Sequence, residues 1–190
     1  MMQRLAILFL WCAAPMAAGC GTAVSSGTAI ALSGYDLESM AEQMVQSITA
    51  DPNVQEALNE PGPMRVVMLP VRNRLTGEVL PRGQQQAFVA QLRIELAKSR
   101  PDDFMWIVNR DDYYRLRDNE LETIDLGPNP DAINPEYALQ ATFRSLTDDT
   151  KRRRTAFYSC LFELTNLEDR TTLWTDAYTV KKSGSKGFLD

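Results

Sequence analysis

The groups in this 190-residue chain that could do chemistry are few, chiefly acidic clusters, the isolated thiol of Cys160 and one basic run. Asp102 with Asp103, Asp111 with Asp112, Asp148 with Asp149, and Glu120 with Glu122 are candidate carboxylate sets. Two carboxylates held close can divide the roles of acid and base between them. Each set, however, falls in an expected turn or at a helix end, where carboxylates accept backbone amides and keep the surface soluble. Cys160 lies in the apolar stretch from Phe157 to Leu164, where a thiol is a small buried hydrophobe and poorly ionised. The chain has no histidine, which removes the commonest general base and the commonest metal ligand together. It has no G-x-x-x-x-G-K-[ST] loop and no G-x-G-x-x-G after a strand; "LPRGQQQ" has one glycine and cradles nothing. The expectation is a binding protein and not an enzyme, with no metal, no cofactor and no small-molecule substrate.

Charge narrows the partners. The formal net charge is -5, with 20 basic and 25 acidic residues, which argues against a binder of nucleic-acid phosphates. Against that background "KRRR" at 151–154 stands out. It reads either as a solvated turn paired locally with Asp148 and Asp149, or as a docking patch for an acidic surface.

The N-terminus does different chemistry. Met1 to Arg4 supply a short positive start and "LAILFLWCAA" an apolar run, too short to span a bilayer comfortably and fitting an export signal. Small residues Ala17, Ala18 and Gly19 then lead into Cys20. This junction resembles the lipobox of bacterial lipoproteins, in which a peptidase cuts before the cysteine and the thiol takes a diacylglycerol; Ala17 stands where the pattern prefers leucine. The resemblance implies residues 1–19 as a removed signal, Cys20 as a covalently lipidated N-terminus, and, because Gly21 is not the retaining aspartate, an outer-membrane anchor facing the periplasm. Loss of Arg4 with the signal makes the chain one charge more negative, and Cys160 becomes the domain's only thiol, so no internal disulfide can form.

The elements that would position a binding surface follow in order. Residues 20–35 are small and hydroxylated and read as a flexible linker. "DLESMAEQMVQSITA" places Leu37, Met40, Ala41, Met44, Val45 and Ile48 on one helical stripe, with Asp36 available to cap it. "PNVQEALN" is a short helix stopped by "NEPGP". "MRVVMLPV" is a strand covered on both faces, "RNRLTGEVLPRG" a polar loop, and the segment from Gln84 a helix that Pro101 closes. "DFMWIVNR" is a second buried strand and "DDYYRLRDNELETI" a polar helix. A right-handed crossover makes the two strands parallel and adjacent. "YALQATFRSL", "TAFYSCLFELTNL" and "TTLWTDAYTVKK", joined by short polar turns, form an antiparallel meander. The sum is an α/β domain over residues 36–182, with a five-stranded mixed sheet and packed helices, followed by a disordered tail at 183–190.

On those elements, Arg144 sits with Gln140 and Thr142 on a polar sheet face, and Trp174 shares a face of the last strand with Tyr178. Aromatics and arginines are what interface cores use. The candidate partner-binding residues are Arg144, Arg152, Arg153, Trp174 and Tyr178, with core packing the alternative reading of Trp174.

Residues 36–181 resemble the LpoB family, outer-membrane lipoproteins that activate a bifunctional penicillin-binding protein, whose core is shared with CsgG and TolB N-terminal domains. The likeness rests on Val66, Val67 and Met68 followed by "VRNRLTGE", on the helix from Gln84, on "YALQATFRSL", and above all on "LFELTNLEDRTTLWTDAYTVKK". Where the family hairpin often reads D-x-x-T-G-E-I-x-W, this chain has "NLEDRTTLW" without the glycine. The resemblance implies a non-enzymatic activator whose partner is a class A penicillin-binding protein or another cell-wall synthase. The alternative it leaves is a CsgG-like envelope assembly accessory, or a lipoprotein with another periplasmic partner; no spare pair of alternating segments of about 10 residues remains for membrane hairpins. The 14 residues from Gly21 to Gly34 span at most about 50 Å extended and about 20 Å as a coil, a short tether for such a task.

Overall fold

Ser33 opens the folded domain. Its hydroxyl accepts the amide of Asp36, while the Asp36 carboxylate accepts both the amide and the hydroxyl of Ser33 at 2.6 Å. This reciprocal capping box starts helix α1 (Gly34–Ala50). The sequence expectation made Asp36 the cap; it stands instead in the first turn, because the shorter serine side chain reaches the free amide. The expected stripe is buried along its whole length, with Met40, Ala41 and Ile48 fully enclosed. In α2 (Pro52–Leu58), Asp51 accepts the amides of Asn53 and Val54, and Pro52 occupies the first helical position, where no amide is needed.

The computed structural model describes residues 22–26, 31–76, 79–120, 133–149 and 153–185. Gly62, at φ +97°, takes the left-handed conformation that turns the chain into strand β2 (Met64–Met68). Helix α3 (Arg82–Ser99) then crosses to β4 (Phe104–Ile107), parallel to β2 and beside it, as the crossover rule requires. Helix α4 (Arg110–Glu120) follows. Strands β5 (Tyr137–Asp149), β6 (Arg153–Asn166) and β7 (Thr172–Ser185) make the antiparallel meander, and β5 also pairs in parallel with β2.

Two strands join this expected set, making seven among the described residues. In place of part of the polar loop, β3 (Arg72–Arg74) pairs in parallel with β5 beyond the point where β2 stops. Pro70 interrupts the run because it has no amide to give; its carbonyl accepts the Gln140 side-chain amide at 3.1 Å. Part of the expected linker, Thr22–Ser26, is strand β1, parallel to β7 at the sheet's edge. The order is β1-β7-β6-β5-β2-β4, with β3 off this path on β5. The expected tail is also shortened: Ser183–Ser185 belong to β7, held from one side by β6 and at Ser183 by β1 as well. Residues 186–190 lie outside the described residues, as does the expected signal segment 1–19.

The main core lies between α1, α3 and one sheet face. Phe88 of α3 meets Phe143 edge-on at 5.1 Å and Phe162 at 6.1 Å between ring centroids. Ile94 of α3 is exposed. At the β6–β7 turn Arg170 sits at φ +64°, where a side chain is strained. Asp169 accepts both the amide and the hydroxyl of Thr171 around it, and these bonds hold its carboxyl below the usual range.

Candidate functional site

Strand alternation divides β6 cleanly. Ala156, Tyr158, Cys160, Phe162 and Leu164 point into the helical core, each no more than 1% exposed. The intervening residues, Thr155 to Thr165, are all partly exposed, as are their neighbours Thr175 to Ser183 on the same face of β7. The register continues this second face across Gln140, Arg144 and Leu146 of β5 and Arg72 and Arg74 of β3.

Arg74 and Arg144 are direct cross-strand partners on that face, and Arg72 sits two residues away beside Thr142. All three arginines are exposed. No described carboxylate pairs with any of them. Like charges placed directly opposite one another weaken a sheet, so the pairing itself costs stability. An apolar row adjoins it. Leu146, 71% exposed, is paired with Phe157, and Phe157 with Lys181, whose ammonium lies 5.2 Å from the phenyl centroid. Arg74, Arg144, Leu146, Phe157 and Lys181 thus form a strip across four strands, cationic at both ends and apolar between. Such a strip can hold an acidic, partly apolar surface; it contains no nucleophile and no group poised to move a proton.

The other candidates fall elsewhere. Trp174 is in the core, 5% exposed, stacked on Phe162 at 6.4 Å. Tyr178 shares its face, as the alternation predicts, but that face is the covered one, opposite to Arg144. Tyr178 is half-buried, and its phenol is pushed up by burial first and then by Asp36 and Tyr35. Beside it runs a buried ion pair: Lys182 donates to Asp36 at 2.5 Å, with both side chains about 6% exposed or less. Burial alone would raise the Asp36 carboxyl; the hydrogen bonds from Lys182 and Ser33 outweigh it and hold the carboxyl below its usual value. Burial pushes the Cys160 thiol well above its ordinary range, against a weaker opposing hydrogen bond to the Thr142 backbone. Arg153 is the first residue of β6, in register with Ser185. Cys20 and Arg152 lie outside the described residues.

A shallow cleft of about 380 Å³ at the foot of the sheet, lined by Glu60, Arg65, Met105, Glu136 and Tyr137 among others, offers less chemistry. Its Arg65 and Glu136 neutralise each other in an ion pair. Among the described residues no group of His, Cys, Asp and Glu converges as a metal site would need, and no helix is long and apolar enough to cross a membrane.

Residues 36–180 match the family model described as peptidoglycan-synthase activator LpoB. The chain belongs to the LpoB family. It is similar to the LpoB C-terminal domain from Escherichia coli, at 14% identity and a TM-score of 0.44, covering 77% of this chain and 98% of that one. The corresponding domain from Salmonella enterica matches at 13% identity and 0.39, covering 76% and 94%. Lipoprotein GNA1162 from Neisseria meningitidis matches at 13% and 0.38, covering 67% and 86%. No curated protein matches. Membership makes the chain one of a family of regulators of peptidoglycan synthesis, lipoproteins of the cell envelope.

Arg72 and Arg74 escaped the sequence reading. Their signal was the R-x-R alternation inside "VRNRLTGE", which puts two cations on one face if the segment is a strand. What could not be read locally is the partner: Arg144 lies 70 residues on.

Proposed function

We propose that this chain binds and stimulates a peptidoglycan synthase of the class A penicillin-binding type, from a lipid anchor on Cys20 in the outer membrane, without catalysing a reaction itself. Family membership supports the activator role. The observation that carries the docking surface is the uncompensated Arg74–Arg144 pair with Arg72 beside it. A net-negative protein that groups three guanidiniums, none paired with a described carboxylate, on an exposed sheet face is built to meet negative charge on another molecule. Arginine brings planar, multiply donating groups to a carboxylate surface, and Leu146 and Phe157 supply apolar area that closes once water is excluded. Trp174 and Tyr178 have no part in this surface.

The test is charge reversal. Arg74→Glu with Arg144→Glu should lower recovery of the synthase from membranes and its stimulated glycan polymerisation by about tenfold or more, roughly 1.4 kcal/mol per decade. The thermal melt should stay near that of wild type, since both residues are exposed. The wild-type association should also weaken with added salt. Unchanged synthase recovery by a folded double variant would remove the arginine pair from the interface.

A further inference from the structure

The sheet's outermost strand is made from the segment that joins the domain to Cys20. Strand β1 pairs with β7 alone, Thr22 beside Thr179 through Ser26 beside Ser183. The strand is five residues long, parallel and at an edge, with serine and alanine among its residues. Parallel pairing is the weaker kind, and edge strands with little side chain to bury are the first to open. The downstream end of the same segment is fixed. Ser33 caps α1 and bonds Asp36, and Asp36 is ion-paired in the interior with Lys182 of β7. Lys182 is in register with Ser25. One stretch of β7 therefore carries a permanent attachment on its inner face and a weak one along its edge.

We infer that β1 is a releasable clip that sets the distance between domain and membrane, an inference that rests on the lipid anchor at Cys20. When the clip is closed, Cys20 is two residues from Thr22 and the lipid lies within about 7 Å of the first paired residue. The domain is then held against the bilayer. When the clip opens, the chain runs free from Cys20 to Ser33, about 20 Å as a coil and about 45 Å at full extension, while the ion pair keeps the domain intact. A tether this short gains most of its reach by unpairing one strand.

Two variants of the full, lipidated chain on a supported bilayer test this, with the membrane-to-domain distance read by neutron reflectometry. Thr22→Cys with Thr179→Cys joins direct register partners; neighbouring strands about 4.8 Å apart are within disulfide range, and Cys160 is buried too deeply to compete. Ala23→Pro with Val24→Pro opens the clip, because one of two consecutive amides must face β7 and neither proline can donate. The oxidised cysteine pair should hold the domain at the headgroups. The proline pair should move it outward by about 10–15 Å without altering the melt of the domain, whereas the disulfide, which closes a long loop, should raise it. Equal distances for the locked and the proline variants overturn the clip and leave the anchor standing. Failure of the wild-type chain to stay on the bilayer overturns the anchor reading, and the clip with it.

Discussion

Phe143 and Arg144 are consecutive residues of one strand and belong to different economies of the molecule. Phe143 is fully enclosed between β6 and the Phe88 ring of α3; Arg144 faces water beside another arginine. The same alternation separates Tyr158 from Phe157 and Lys182 from Lys181. Among the described residues, the one acid and the one lysine buried on the covered face, Asp36 and Lys182, pair with each other. The uncovered face leaves like charges together and apolar side chains wet. In a fold that follows packing rules so closely on one side, the violations on the other point to a surface finished by a second molecule.

The contrast is broken most forcefully from the covered side. Phe143→Ala should cost about 3–5 kcal/mol by opening a cavity among Phe88, Phe162 and the sheet, whereas Arg144→Ala should stay within about 0.5 kcal/mol; denaturant titration of both checks this. Trp174→Ala belongs with Phe143→Ala, and a loss of partner binding by a folded Trp174→Ala protein would count against the separation of faces.

Lys182→Met should cost about 3–5 kcal/mol by leaving the Asp36 carboxylate buried without its cation, and Asp36→Asn with Lys182→Met should recover a good part of it. The pH dependence follows from the direction of the Asp36 shift. Its carboxyl is lower in the folded protein than in the unfolded one, so its contribution is present above the unfolded value of about 3.9 and is lost as pH falls through the lower folded value. Wild-type stability should therefore fall as Asp36 protonates. Lys182→Met removes a cause of the lowering and should flatten that fall, so that the gap in stability between the two narrows with acid when denaturant melts are followed by circular dichroism.

Local pattern explains why one face was easier to read than the other. The α1 stripe, the β2–β4 parallel pair and the meander were legible because apolar spacing reports the covered face directly. β3 was not, since "RNR" looks like any polar loop until β5 supplies its backbone partner. β1 was hidden for a related reason: a run of small polar residues becomes a strand only when an open edge takes its amides and carbonyls. Ser33 was lost inside what read as linker, so the cap moved by three residues. Trp174 and Arg144 could each be placed on a strand, but their opposite facing depends on registers joining β5, β6 and β7.

Smaller effects sharpen the picture. Arg170→Gly should raise stability by about 0.5–1 kcal/mol, because it relieves the left-handed conformation at the turn; counted back from Trp174, this is where the family pattern carries its glycine. A rise of a few degrees in a thermal melt would show it. The smallest change should come from Arg74→Gln, a gain of a few tenths of a kcal/mol at low salt as the repulsion with Arg144 ends, fading as salt is added.

Cys160 gives the molecule a built-in clock. It is fully enclosed at the middle of β6, and under the proposed processing, with residues 1–19 removed and Cys20 acylated, it would be the one free thiol of the sequence. An alkylating reagent added to the native lipoprotein can react only when the central sheet opens, so the labelling rate counts openings of the core with no engineered probe. Motions confined to the exposed arginine strip or to the tether would pass without a tick.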